Sequence, residues 1–344
     1  MKKPDVSRKY GVMSLGEILL RLSPEGNERI AYSELFEKRI GGSELNVAAG
    51  VCMLGIPSAM ISALPENEIG KYASRALRYA GVGGEYVLSD SSANSRLGIY
   101  YAEHGAAPRQ TAVVYDRANT SFDSFSADRV PSCAFREASV FHTGGITLAK
   151  TPSTRATAKA LMLKFKEAGA LISFDVNYRS SLWSEQEARA ALYGILPLVD
   201  ILFVSDETLR RMLCKRGTLE DIQLSLSNDF PNLSLIASTE RQVVSPRLHH
   251  FSSTIYDAES GTHHKEPPYR NIEVIDRIGS GDAFVAGALY ALLKFGSPYE
   301  AVRYGNAMAA LKNTTLGDMP ECDLSDVLRT VKNHAEANPD EMIR

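Results

Sequence analysis

The stretch Asp276-Arg277-Ile278-Gly279-Ser280-Gly281-Asp282-Ala283-Phe284 joins two glycines, a small hydroxyl residue and an acid to the start of an apolar segment. Glycines let backbone N–H groups approach a ligand closely. A helix opening here offers unpaired N–H donors and a partial positive charge. Gly279, Ser280 and Gly281 therefore make a seat for an anion such as a phosphoryl group. Asp282 is placed to take the proton of a hydroxyl that attacks phosphorus. Phosphoryl transfer asks little beyond positioning, charge neutralisation and one such base. A glycine turn with Asp282 as an N-cap accounts for the same residues.

A second run, Gly41-Gly42-Ser43-Glu44-Leu45-Asn46-Val47-Ala48-Ala49-Gly50, opens a small-residue helix with paired glycines. The Gly42 backbone and the Asn46 side chain can hydrogen-bond sugar hydroxyls. Close packing through the alanine face is the other reading. Four histidines come in adjacent pairs, His249-His250 and His263-His264, but neighbours on a strand face opposite sides. No nearby acid or cysteine completes a metal set, so they read as structural or solvated. His142 follows a short apolar run and reads as a strand-end residue lining a pocket.

The elements that must carry these residues alternate. Helices are predicted over Thr154–Ala168, with Gly169 as C-cap, over Ser184–Leu196, opened by a capping box with Glu187, and over Asp206–Cys214. Strands are predicted over Leu171–Asp175, Ile201–Val204 and Leu233–Ala237. This rhythm implies βαβ units and a parallel sheet with helices on both faces. Asp282–Lys294 reads as an apolar helix closed by Gly296. Ser297-Pro298-Tyr299-Glu300 opens the next, which runs to about Lys312. Glu28–Ile40 and Arg96–Arg117 break the rhythm. Their strand-like runs, Leu97–Tyr101 and Thr111–Tyr115, suggest a small antiparallel sheet apart from the main one, acting as a lid or as plain loop excursions.

The bulk numbers fit a globular α/β chain. It has 344 residues, 44% apolar and 23% charged, with a formal net charge of −3. That balance lacks the basic footprint of a nucleic-acid binder. No run approaches the ~18 apolar residues of a membrane span, and no apolar run follows the first lysines as in a signal peptide. Cys52, Cys133, Cys214 and Cys322 are scattered and read as reduced, mostly buried thiols in a cytoplasmic protein.

Taken together, the two glycine motifs resemble the paired signatures of the ribokinase, or PfkB, family of carbohydrate kinases. The resemblance covers about Val12 to Val331. There is no GxxxxGK[ST] element, so a Walker-type site is not the route to a nucleotide. The resemblance implies a single ribokinase-like α/β domain over residues 1–344, with a β lid from about 28–40 and 96–121. It also implies ATP and Mg²⁺. Within the family, three stretches are most similar to the 2-keto-3-deoxygluconate kinase branch: Gly16–Pro24 as an opening strand, Tyr115–Ser121 as a lid segment, and Phe174-Asp175-Val176-Asn177-Tyr178-Arg179 followed by Leu182-Trp183. A sugar acid needs a cation for its carboxylate, and the arginine fork suits one. Arg117 and Arg179 are the candidates, the alternative for Arg179 being a surface ion pair. By resemblance Tyr100, Tyr115, Gly42 and Asp318 contact the sugar. Asn177 and Asp175 lie near the phosphates, and a homo-oligomer, a dimer or larger, is expected.

Two departures from the family pattern fall on the nucleotide side. Ser205 and Thr208 stand where Asn and an acid are usual, with Asp206 and Glu207 between them as further candidates for the metal. After Ala237 the usual glycine-bearing loop reads Ser238-Thr239-Glu240-Arg241-Gln242-Val243, so phosphate contact falls to Thr239 and Arg241.

Overall fold

The computed structural model describes residues 4–106, 108–213 and 216–336. Among these, the strands are β1 Tyr10–Leu15, β2 Leu19–Pro24, β3 Phe36–Gly41, β4 Ser58–Pro65, β5 Gly83–Asp90, β6 Gly98–Glu103 and β7 Ala112–Asp116. The later ones are β8 Ala138–Gly144, β9 Leu171–Asp175, β10 Ile201–Ser205, β11 Leu235–Ser245, β12 Leu248–Asp257, β13 Thr262–Lys265 and β14 Tyr269–Glu273. The main sheet runs β13-β12-β11-β10-β9-β8-β1-β4-β5, with β14 also on β12. From β11 to β5 every pairing is parallel. Every residue of β4 and β8 is buried, as expected of strands covered on both faces.

Helices cover both faces. Phe141, Phe165 and Phe174 belong to one core and Val12, Phe203, Phe284 and Leu289 to the other. The Phe141 and Phe165 rings stack at 4.4 Å. Each such buried side chain contributes roughly 1.5–3 kcal/mol. The helix Pro152–Glu167 starts two residues before its predicted bound, because Thr151 caps it and Pro152 fits the first turn. Gly169 follows it at φ +87°. Ser184 caps Glu185–Tyr193 through the expected box with Glu187. Ser297 caps Pro298–Asn313.

The second sheet differs from the expected one. Its order is β3-β2-β6-β7, and it is mixed, because β2 and β6 run parallel. The run Gly16–Pro24 does not open the main body. The main sheet starts with β1, and after three residues the chain crosses to β2 in the small sheet. Within 28–40 only Phe36 onward is strand. β11 is another difference: it continues to Ser245, held by β12, where a nucleotide loop was expected. His142 lies inside β8, 1% exposed and bonded through Nδ1 to Ser173 Oγ at 2.9 Å. It is packed in the sheet and does not line the cleft described below. The thiols are less buried than expected, Cys133 being exposed and Cys52 and Cys322 half-buried. Cys214 lies outside the described residues.

Candidate active site

The C-terminal ends of β9 and β10, the early part of β11 and the small sheet surround a cleft of about 790 Å³. Ligands of open α/β sheets bind at this edge. The site residues read from the sequence converge on it. Gly42, Asn46, Tyr100, Tyr115, Arg117, Arg179 and Asp318 line it, as do Asp175, Asn177, Ser205, Asp206, Glu207, Thr239, Arg241 and the Gly279–Asp282 turn.

The helix Ser280–Phe295 starts at the turn, with Gly279 as N-cap at φ +84°. Asp282 is therefore the third helical residue rather than the cap. Only glycine fits at 279, because a methyl group there would lie 1.9 Å from the Asp318 carbonyl oxygen. At Gly281 a methyl group would meet open space. Asp282 is buried, and each carboxylate oxygen has a donor. Ser43 Oγ donates to Oδ1 at 2.8 Å and Asn46 Nδ2 to Oδ2 at 2.7 Å. Asn177, held at φ +35°, donates its amide to Ser43 Oγ at 2.8 Å. Burial raises the Asp282 carboxyl above the ordinary carboxylate range, while the Asn46 and Ser43 bonds and the Arg179 charge oppose this. The result is a stronger base than a solvated aspartate, with lone pairs still free to accept a proton.

Two further acids face this group. Glu44 is 1% exposed, accepts from Thr147 Oγ1 at 2.7 Å, and is pushed up to about 7, chiefly by burial. Asp175, at the end of β9, is also pushed up to about 7 by burial and then by Asp282.

The two candidate arginines are not equivalent. Arg117 Nε donates to Glu17 Oε2 at 2.9 Å, so its charge is already matched. Glu17 also takes Thr120 Oγ1 at 2.6 Å and Lys150 Nζ at 2.9 Å. Arg179 donates to the Tyr178 carbonyl at 3.0 Å. Among the described residues it has no ion-pair partner, so the surface-pair alternative does not apply. Tyr115 is 45% exposed, and the Arg117 guanidinium stands 5.7 Å from its ring centre. Tyr100 is buried with its hydroxyl donated to Asp318. Asn46, Tyr100 and Asp318 are thus engaged with protein groups, although Asn46 Oδ1 is buried without a partner.

Of the residues expected at the nucleotide, Ser205 and Thr239 are paired across β10 and β11. Ser205 Oγ is bonded to Thr208 Oγ1 at 2.8 Å and accepts from Thr208 N at 3.2 Å, a cap for the helix Asp206–Leu213. Asp206 pairs with Arg210 at 3.0 Å and Glu207 with Arg211 at 3.1 Å. Among the described residues no group of three or more His, Cys, Asp or Glu gathers to hold a metal. Arg241 and Arg277 both line the cleft, and among the described residues neither has an ion-pair partner. Burial and the Arg277 charge disfavour the Arg241 cation, so an anion between them would relieve both.

Sequence reasoning passed over Ser43, Glu44, Glu17 and Arg277. The first two sit inside the quoted glycine motif, and Arg277 sits beside the turn. Their signal was adjacency to a motif, without a partner to give it meaning.

A buried carboxylate at a glycine-opened helix N-terminus, in the cleft of a ribokinase-like fold, defines a kinase that acts on a sugar hydroxyl. The family model for pfkB family carbohydrate kinases matches residues 10–323, and the chain belongs to that family. It is 35% identical over 322 residues to the 2-dehydro-3-deoxygalactonokinase of Haloferax volcanii, covering 93% of this chain and 96% of that one. The solved 2-dehydro-3-deoxygluconokinase of Thermotoga maritima superposes with a TM-score of 0.89 at 27% identity, covering 94% and 98% of the two chains. The fructokinase of Xylella fastidiosa, solved with bound ATP, matches with a TM-score of 0.77 at 21% identity over 94% and 99%, a likeness of fold alone.

Proposed function

We propose that this sugar kinase transfers the γ-phosphoryl group of ATP to the C6 hydroxyl of 2-keto-3-deoxygluconate, giving 2-keto-3-deoxy-6-phosphogluconate and ADP. The observation that carries the kinase step is Asp282, its carboxyl raised by burial and its oxygens oriented by Ser43 and Asn46 at the mouth of the anion seat. The substrate reading rests on Arg179, a cation in the cleft with no acid partner among the described residues, and on the resemblance to kinases named for 2-dehydro-3-deoxy sugar acids.

Asp282 takes the C6 hydroxyl proton as the oxygen attacks the γ-phosphorus and the bond to the bridging oxygen of ADP breaks. Backbone N–H groups of Gly279 to Asp282 stabilise charge on the phosphoryl oxygens. Arg179 holds the sugar carboxylate, Tyr115 and the Gly42 backbone flank the sugar, and Asn46 Oδ1 accepts from a hydroxyl. Thr239, Arg241, Ser205 and Arg277 face the nucleotide phosphates. Bound Mg²⁺ supplies charge neutralisation at the phosphates. Asp175 fits it as a protein ligand, being a half-buried carboxylate whose raised proton affinity a cation would relieve. Asp206 and Glu207, paired with arginines, fit less well. A single carboxylate suffices for an ion that keeps waters and arrives on phosphates. The small sheet acts as a lid of one kinase domain, excluding water from the transfer. We place the chain in the cytoplasm, and no helix among the described residues is long and apolar enough to cross a membrane. A dimer or larger homo-oligomer is supported by the sheet-edge strand β7, where Val113 and Val114 are 39% and 52% exposed.

One observation favours a neutral sugar instead. Glu17 already matches Arg117, and Glu44 adds a further acid. The test is an ADP-release assay with Mg-ATP and a panel of 2-keto-3-deoxygluconate, its C4 epimer, 5-dehydro-2-deoxygluconate, fructose and ribose. Turnover confined to the first two upholds the sugar-acid reading. Preference for fructose or ribose replaces it, and silence on the whole panel points to a sugar-binding sensor.

A further inference from the structure

Arg21 has no part in the reaction as described, yet it is among the most buried charges in the molecule. It stands on β2 in the small sheet and is 1% exposed. Its Nη1 lies 2.6 Å from Asp276 Oδ2 and 2.9 Å from Asp318 Oδ1. Its Nε donates to Ser23 Oγ at 2.8 Å, and Nη2 lies 3.2 Å from His104 Nε2.

Both acids support the anion seat. Asp276 Oδ1 accepts from Ile278 N at 3.0 Å, and Oδ2 accepts from Gly317 N at 3.1 Å. Asp276 therefore holds the turn on one side and the 314–318 segment on the other. The Asp318 carbonyl oxygen occupies the space where Gly279 would carry a side chain. Lys312, fully buried, aims its ammonium at the carbonyl oxygens of Asp276 and Thr315, at 3.1 and 3.2 Å. Among the described residues the Arg21 guanidinium is the cation that touches both carboxylates. Two buried acids can stay charged side by side only when a cation lies between them. The planar fork of arginine presents several donors in fixed directions, which a lysine cannot do.

We propose that Arg21 is a positioning residue for phosphoryl transfer: it locks Asp276 and Asp318 together beneath the Gly279–Asp282 turn, so the register of the small sheet sets the geometry of the anion seat. The proposal rests on the kinase reaction proposed above. Without Arg21 the two carboxylates repel and move apart, and their grip on the supporting backbone weakens. A displacement of about 1 Å in such a seat costs about 10²-fold in rate. Arg21 itself does not line the cleft, so its loss should fall on kcat more than on either KM.

The test compares the wild type with Arg21→Met, Arg21→Lys and Ser23→Ala, measuring kcat, both KM values, melting temperature and hydrogen exchange across 276–282. The expected result for Arg21→Met is a fall in kcat of about 10²-fold with both KM values within about threefold. Arg21→Lys should recover part of the loss. If Arg21→Met does not fold, Ser23→Ala, which frees the guanidinium from one orienting bond, should still lower kcat several-fold at an unchanged melting temperature. Wild-type kcat in folded Arg21→Met overturns the proposal, as does wild-type kcat in Ser23→Ala when Arg21→Met fails to fold. If the wild type itself turns over no sugar, the reaction proposed above fails and exchange alone decides: faster exchange in 276–282 of Arg21→Lys upholds the positioning role, and unchanged exchange overturns it.

Discussion

Asn46 Nδ2 lies 2.7 Å from Asp282 Oδ2, although 236 residues separate the two in sequence. The two glycine motifs therefore meet as one device: the first helix supplies the donors that orient the acid on the last quarter of the chain. Asp282→Asn should lower kcat by about 10²–10⁴-fold, the usual contribution of a general base, with the sugar KM little changed. Asn46→Ala deletes one of the bonds that oppose the rise of the Asp282 carboxyl. Its acid limb in kcat/KM should move to higher pH, since the base must be deprotonated to act. A pH profile of both variants checks this, and an unmoved limb in Asn46→Ala would contradict the assignment.

Glu44 allows a stability prediction with a definite sign. Its carboxyl is raised from 4.5 to about 7 in the folded chain, chiefly by burial. The folded state therefore binds the proton more tightly than the unfolded state. The stability this gives is complete below the unfolded value and is lost as pH rises through about 7. Glu44→Gln removes the titration and keeps an acceptor for Thr147. Between pH 5 and pH 8 the wild type should lose more stability than this variant, by on the order of 3 kcal/mol at most. Thermal melts at both values measure it, and parallel curves would refute it.

Gly279 and Gly281 should respond in opposite ways to a single methyl group. Gly279→Ala meets a carbonyl oxygen at 1.9 Å and carries φ +84°, and the conformation alone costs about 1–2 kcal/mol. This variant should fold poorly. Gly281→Ala meets no atom and should melt within a few degrees of the wild type. Its methyl group occupies the open side of the anion seat, so the KM for ATP should rise. Differential scanning calorimetry with initial-rate kinetics separates the two.

The arginines should divide by ligand. Arg179→Ala should raise the KM for a sugar acid about tenfold or more, as expected for a charge-assisted hydrogen bond of ~1.5–3 kcal/mol, and leave the KM for neutral sugars unchanged. Arg241→Ala and Arg277→Ala should each raise the KM for ATP and spare the sugar. A matrix of KM values over the three variants tests this, and equal effects on acidic and neutral sugars would overturn the role of Arg179.

The parallel body was legible because its signals are local. Leu171–Asp175 came through with its predicted bounds, and the helix after Gly279 followed from the glycines that open and close it. Many members of the cleft were legible as well, since they lie in a motif or at a strand end, but Glu17, Ser43, Glu44 and Arg277, which also line it, were not. Their bonding partners were not. Nothing in Tyr115–Ser121 says that Arg117 is matched by Glu17, 100 residues away. Nothing in Thr239–Val243 says that β12 would hold the segment as strand. The crossing to the small sheet after three residues was likewise hidden, because Leu19–Pro24 has the composition of any buried strand.

The continuous course of β11 has a further consequence. A glycine loop adapts to a nucleotide by bending, whereas a strand locked into a hairpin keeps its backbone fixed. Residues 239, 241 and 243 point to one side of that strand. The cleft wall at Thr239 and Arg241 is therefore a pair of independent side-chain positions on a stiff rail, and a substitution at either can be read out without moving its neighbour.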